Sequence, residues 1–90
     1  MRHYFAPSFE RMYKKLSGHN QHAVDHAIES FLKYVTERKN LPKGLGLKRL
    51  ARHYWEICCS IDLRIILELE DPIGFLLVGN HDDVQRFIRE

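Results

Sequence analysis

The spacing of apolar residues changes once along this chain, from a helical period to a strand period. Between residues 9 and 35, apolar side chains recur every three or four positions, as they do on one face of an amphipathic helix. Between residues 55 and 69, they recur at every second position, which is typical of strands with one buried face. The change predicts helices first and a sheet after them.

Two helices are predicted in the first half of the chain. The first carries an apolar stripe over residues 9–16 and ends at the Ser-Gly pair of residues 17–18; the second covers residues 20–38. Because the break between them is so short, they should form a helical hairpin. Residues 2–6, which precede them, favour a short opening strand.

The second half is predicted to form strands joined by tight turns. A loop at residues 40–46 is followed by alternating strands, a turn and a last helical turn capped by Asp82 or Asp83. The strands are placed at residues 55–62, 63–70 and 75–78, with the turn at 71–74. The resulting order is β-α-α-β-β-β with a short C-terminal helix. We therefore expect an α+β fold, with the hairpin packed on one face of a small antiparallel sheet, and residues 1–90 as a single domain.

The charge distribution points to a phosphate-rich or acidic partner. The net charge is only +2, but residues 1–52 hold 11 Lys and Arg against 4 Asp and Glu, whereas residues 53–90 hold 3 against 8. No apolar run reaches membrane-spanning length, and the first residues lack the apolar core of a signal peptide. We expect a cytoplasmic protein without membrane contact.

Two residues are candidates for chemistry at the ends of strands. Arg64 could present its planar guanidinium to a phosphate, or it could form a salt bridge with Glu56 or Glu68. His81 follows a predicted strand end and could exchange protons near neutral pH. Its alternative role is structural, with a hydrogen bond to one of the two aspartates that follow it.

A basic stretch precedes the alternating strands and could position a nucleic-acid backbone without reading its sequence. Its members are Lys43, Lys48, Arg49 and Arg52. The alternative is a solvated edge of the sheet.

Metal and disulfide chemistry are not expected. His19, His22 and His26 share one side of the predicted second helix, but they lie opposite its apolar stripe and no further ligand is implied. Cys58 and Cys59 are neighbours on a strand, so their side chains should point to opposite faces.

Three segments together resemble the RelE/ParE superfamily of bacterial toxin–antitoxin systems. They are YWEI at residues 54–57, RII at residues 64–66 and VGNHDDV at residues 78–84. Relatives show a similar tryptophan-containing strand, a strand with a matching arginine and a histidine after the last strand. The resemblance covers nearly the whole chain.

The resemblance implies a RelE-like toxin that cleaves messenger RNA in the ribosomal A site and is inhibited by a cognate antitoxin in a hetero-oligomer. Such enzymes use no metal or other cofactor, because the 2′-hydroxyl of the RNA attacks the neighbouring phosphate. Arg64 matches the residue that would bind the scissile phosphate, and His81 the general acid or base. The basic stretch matches only regionally as an RNA-binding element.

Two alternatives remain open at the level of sequence. A ParE-like toxin would inhibit DNA gyrase instead of cutting RNA. A non-catalytic homologue would only bind an antitoxin, and two departures motivate this hypothesis: Gln85 stands where many relatives have an aromatic residue, and Cys58 where they often have arginine.

Overall fold

The computed structural model describes residues 2–37 and 45–89, so residues 40–44 of the predicted loop, including Lys43, lie outside them. The elements are β1 (His3–Phe5), α1 (Pro7–Lys14), α2 (Gly18–Glu37), β2 (Lys48–Ala51), β3 (Tyr54–Ser60), β4 (Leu63–Glu68), β5 (Ile73–Gly79) and α3 (His81–Arg89). The predicted α+β class is confirmed.

The helical hairpin forms where the apolar spacing predicts it. Pro7 begins α1, a position where its missing N–H costs no helical hydrogen bond. Ser17 does more than end the first helix, because its hydroxyl accepts a hydrogen bond from the Asn20 N–H at 3.1 Å and caps α2. The apolar face of α2 is buried along Val24, Ala27, Ile28 and Phe31.

Five strands form one sheet in the order β1-β5-β4-β3-β2. The three strands predicted from alternation, β3 to β5, are antiparallel neighbours as expected. Two features differ from the prediction. β1 runs parallel to β5, so the sheet is mixed, and residues 48–51 add a strand at the other edge by pairing with β3. These four residues lack apolar alternation, so their strand character comes from the pairing.

Phe75 lies at the centre of an aromatic cluster that holds the hairpin to the sheet. Its ring is fully buried and stacks on Phe5 of β1 at a centroid distance of 5.3 Å. It also approaches Phe9 of α1 and Phe31 of α2, each with its ring centroid at 6.4 Å. One side chain thus joins β1, α1 and α2 to β5, with favourable tilted and edge-on ring contacts.

A bulge in β5 determines which face of the sheet each of the last residues of that strand lies on. Phe75 pairs with Leu67 and Leu77 pairs with Ile66, so Leu76 is the additional residue. Its carbonyl accepts a hydrogen bond from the Ser8 hydroxyl of α1. Because side chains alternate along a strand, this extra residue places Val78 in the core under the hairpin, while Gly79 faces the other side.

α3 covers part of the face opposite the hairpin. Val84 of α3 and Ile66 of β4 are buried although neither belongs to the main core under the hairpin. Phe87 contacts Tyr54 of β3 edge-on, with ring centroids 5.3 Å apart. The second face, which we call the α3 face, is therefore only partly open; it carries Tyr54, Glu56, Cys58, Arg64, Ile66 and Glu68.

Phe75→Ala should lower the free energy of unfolding by roughly 3–5 kcal/mol, because it empties the centre of the aromatic cluster and leaves a cavity. Urea denaturation measures the change. Ile61→Ala is the matched control, since Ile61 is 89% exposed in the β3–β4 turn and its truncation should stay within about 0.5 kcal/mol of the parent. Equal losses for the two variants would contradict the central role of Phe75.

Candidate active site

Arg64 is anchored at two of its three guanidinium nitrogens, by a salt bridge at Nε and by hydrogen bonds at Nη1. Its Nε lies 3.1 Å from Oε1 of Glu56. Its Nη1 donates to the carbonyls of Ser60 at 2.7 Å and Ile61 at 3.0 Å, both at the β3–β4 turn. The predicted alternative, a salt bridge with Glu56, is therefore present. Within residues 2–37 and 45–89, Nη2 is the Arg64 guanidinium nitrogen that makes neither a hydrogen bond nor an ion pair.

The strand register brings Arg64 and Glu56 together. Arg64 lies opposite Cys58 on β3, and Glu56 lies opposite Ile66, two residues further along β4. The ion pair is thus a diagonal pair on one face, which a long arginine side chain can span. On its other side Arg64 lies opposite Gly79, two residues before His81. The sheet therefore brings the guanidinium to the end at which α3 begins.

His81 is the first residue of α3, and reciprocal hydrogen bonds fix its position in the backbone. The Asn80 side chain accepts from the Asp83 N–H at 2.8 Å, and the Asp83 carboxylate accepts from the Asn80 N–H at 2.9 Å. This is a capping box, built here from asparagine and aspartate. The helix cap is therefore Asn80, while Asp83, one of the two predicted caps, is the reciprocal partner.

The His81 side chain is exposed and, in the described part of the chain, makes no hydrogen bond or ion pair. The structural alternative for this histidine required a bond to Asp82 or Asp83. Asp83 instead completes the capping box and pairs with Arg86. The imidazole is thus held at a defined place by the backbone and left available to a ligand.

A shallow depression runs along α3 from this histidine. His81, Asp82, Gln85, Arg86 and Arg89 line it. Gln85 lies one helical turn after His81 and is half-buried. The amide therefore occupies the position at which the family resemblance implies an aromatic neighbour. The rings of Tyr54 and Phe87 contact each other where α3 packs on the sheet.

The predicted basic stretch does not form one cluster with Arg64 and His81. Lys48 lies opposite Glu56 and so shares the α3 face. Arg49 donates from Nε and Nη2 to the carbonyl of Arg52, at 3.0 and 2.8 Å. Arg52 lies in the β2–β3 turn with a φ of 54°. This turn is at the opposite end of β3 from Ser60, roughly 20 Å away at the usual rise per residue.

Neither the histidines of α2 nor the two cysteines are arranged as a metal site. Among the described residues, no group of three His, Cys, Asp or Glu side chains is placed to hold a metal ion. Cys58 and Cys59 are free thiols. Desolvation raises the pKa of Cys59 to about 12, with the Cys58 charge adding to the rise and Arg64 opposing it. None of the helices in residues 2–37 and 45–89 is both long and apolar enough to span a membrane.

Solved structures share this architecture over almost the whole chain. The toxin–antitoxin complex RelB–RelE from Methanococcus jannaschii aligns with a TM-score of 0.68 and 22% identity, covering 92% of this chain and 95% of that one. The chain has the RelE/ParE toxin fold. YafQ from E. coli aligns with a TM-score of 0.68 and 16% identity, covering 93% and 98%.

The same fold recurs in a third structure, at still lower identity. The YoeB/ParE toxin from Agrobacterium tumefaciens aligns with a TM-score of 0.66 and 13% identity, covering 90% of this chain and 99% of that one. No protein-family profile matches the sequence, and no curated protein matches it either. The likeness therefore lies in backbone architecture, which the predicted resemblance had identified from three short segments.

Sequence reasoning left one residue of this site undecided and missed another. Glu56 entered as one of two salt-bridge partners for Arg64, and its place two residues from Cys58, which lies opposite Arg64, follows from the hairpin register. Asn80 was passed over as a cap because two aspartates follow it. The spacing Asn80-x-x-Asp83 is a capping-box pattern and carried the signal.

Gly79→Ala should destabilise the protein by about 1–2 kcal/mol through loss of the capping box. A Cβ at this position would lie 2.5 Å from Oδ2 of Asp83. Thermal and urea denaturation measure the effect. Gly18→Ala is the control, since a Cβ there meets nothing within 4 Å. If Gly79→Ala is as stable as Gly18→Ala, the capping box does not constrain the start of α3.

Cys59 should resist alkylation in the folded protein at neutral and mildly alkaline pH. Because the pKa of its thiol is raised to about 12, the reactive thiolate stays scarce until the pH approaches that value. Iodoacetamide labelling followed by peptide mass spectrometry, with and without denaturant, measures the rate at each cysteine. Labelling of Cys59 at the same rate in folded and unfolded protein would contradict this expectation.

Proposed function

We propose that this chain is a RelE-like toxin that cleaves messenger RNA on the ribosome without a metal ion. The observation that carries the proposal is the pairing of Arg64 with Gly79, which brings an anchored guanidinium to the sheet end where the exposed His81 begins α3. A fixed cation and an accessible proton carrier at the same end of the sheet are the two kinds of group that phosphodiester cleavage requires. The shared fold with RelE and YafQ supports it.

In the proposed reaction, the 2′-hydroxyl of the RNA attacks the adjacent phosphorus atom. The hydroxyl loses its proton, the bond from phosphorus to the 5′-oxygen breaks, and that oxygen gains a proton. The products are a 2′,3′-cyclic phosphate and a 5′-hydroxyl end. Arg64 binds the scissile phosphate and stabilises its growing negative charge, while His81 acts as general acid or base.

Gln85 cannot serve as a second general acid or base at this site. An amide side chain neither gives nor takes a proton at physiological pH. With glutamine one turn after His81, the second proton transfer falls to water or to a group of the RNA or ribosome. We therefore expect cleavage to be slower than in relatives that carry an aromatic residue with a hydroxyl at this position.

The remaining cations act on the RNA backbone at two separate places. Lys48 is exposed on the α3 face beside the ion pair of Glu56 and Arg64. Arg52 is exposed at the far end of the sheet, where Arg49 holds its turn. Lys43 belongs to the same basic stretch. A strand of RNA or ribosomal RNA crossing the sheet would meet both places.

An antitoxin is the proposed protein partner. The structures similar to this chain include two toxin–antitoxin complexes, RelB–RelE and DinJ–YafQ. A small protein of that kind, encoded next to this chain, would hold the toxin inactive in a hetero-oligomer. Co-expression of the neighbouring reading frame and co-purification of the two chains is the direct measurement.

His81→Ala should reduce cleavage on programmed ribosomes by about 10²–10⁴-fold, the usual contribution of a general acid or base. The measurement is primer extension on messenger RNA after incubation with purified toxin and ribosomes, which maps new 5′ ends. The substitution should leave stability unchanged, because the side chain is exposed. His22→Ala is the control, since His22 is an exposed histidine on α2.

Three outcomes would redirect the proposal. Equal cleavage by His81→Ala and the parent protein removes the histidine from the mechanism. Absence of cleavage by the parent protein, with a stable antitoxin complex, favours the non-catalytic homologue. Inhibition of gyrase supercoiling, with messenger RNA left intact, favours a ParE-like toxin instead.

A further inference from the structure

Glu56 is a buried charged side chain on the α3 face, with Lys48 opposite it on β2 and Arg64 diagonal to it on β4. It is 8% exposed and is the one buried polar or charged residue among those the structure describes. Burying a carboxylate is costly unless a partner compensates for the lost water. The partner here is the Nε of Arg64 at 3.1 Å. A fold with apolar side chains at this position would avoid that cost, so the pair calls for an explanation.

The ion pair fixes the direction in which Arg64 points. Glu56 holds Nε, and the carbonyls of Ser60 and Ile61 hold Nη1. A planar guanidinium bound at two nitrogens has no remaining freedom to rotate, so Nη2 has a defined position. An unpaired arginine on a strand would sample many rotamers and would lose that entropy on binding a phosphate.

The same ion pair lowers the attraction of Arg64 for phosphates in general. A carboxylate 3.1 Å from the guanidinium offsets much of its charge at a distance. Attraction to every phosphate of a long RNA stabilises the bound substrate and the transition state equally, so it does not accelerate the chemical step. Orientation toward one phosphate does accelerate it.

We propose that Glu56 is a positioning residue for RNA cleavage, which fixes the orientation of Arg64 and at the same time limits how tightly Arg64 holds RNA phosphate. This inference rests on the proposed function of Arg64 and His81. It predicts opposite effects on binding and on the rate of cleavage, which a purely structural ion pair would not produce.

The test uses two substitutions at Glu56. Glu56→Gln keeps an oxygen that accepts from Nε and removes the charge, so it should tighten binding about threefold, as expected for loss of a partly screened charge. Its cleavage rate at saturation should stay close to that of the parent. Glu56→Ala removes the acceptor as well and should lower that rate about tenfold, as expected when a reacting group is misplaced.

Glu68→Gln is the matched control. Glu68 lies on the same face, with its Oε2 2.9 Å from Nε2 of His53. It is four residues from Arg64 along β4, about 13 Å at the usual rise per residue. That distance exceeds the screening length of about 8 Å at physiological salt. The same loss of charge there should leave both binding and cleavage unchanged.

Two readouts separate this inference from the proposed function. Binding is measured by titrating labelled protein into ribosomes programmed with messenger RNA that carries 2′-deoxy nucleotides in the A-site codon and so resists cleavage. Cleavage is measured by single-turnover kinetics on the same ribosomes with the ordinary message. Circular dichroism and thermal denaturation identify any variant that is unfolded, and Glu56→Gln then serves as the conservative one.

Tighter binding by Glu56→Gln, together with a slower rate in Glu56→Ala that Glu56→Gln restores, supports the inference. If the parent protein cleaves and Glu56→Gln binds like Glu68→Gln, the inference is overturned and the proposed function stands. If the parent binds without cleaving, the proposed function fails and the positioning role of Glu56 in cleavage fails with it. If the parent neither binds nor cleaves, both are overturned.

Discussion

The packing of one ring, that of Phe75, constrains most of this structure. It touches β1 through Phe5, α1 through Phe9 and α2 through Phe31, so the order of layers follows from where this side chain lies. Immediately after it, β5 must bulge at Leu76 to keep both Phe75 and Val78 in the core. The bulge in turn directs Gly79 toward the α3 face and so decides where α3 begins.

Local patterns were enough to predict the helices and four of the five strands. Burial repeats every three or four residues in α1 and α2 and every second residue in β3 and β4, so each element carries its own signal. β2 carries none, because Lys48 to Ala51 gain strand geometry by pairing with β3. The parallel direction of β1 could not be predicted from local pattern either, because its partner β5 comes about 70 residues later in the sequence.

The candidate site could be predicted in part, for the same physical reason. Arg64 and the start of α3 at His81 lie at the same end of the sheet because an antiparallel pair fixes which residues face each other, and the sequence already placed both near strand ends. The separate location of Arg49 and Arg52 depends on the register of β2, and the pairing of Arg64 with Glu56 rather than Glu68 depends on the register between β3 and β4. Neither follows from the order of residue types along the chain. The roles of Arg64 and His81 in catalysis stay predictions.

The parallel pairing of β1 with β5 also determines when during synthesis the molecule becomes complete. His3 lies opposite Ile73, so the first strand waits for a partner that is made 70 residues later. Such long-range pairings form late, because the intervening chain loses entropy before any contact compensates for it. Until β5 emerges, the hairpin lacks Phe75 and Arg64 lacks Gly79 beside it. For a protein proposed to cut messenger RNA on ribosomes, this order of assembly separates its own translation from its activity.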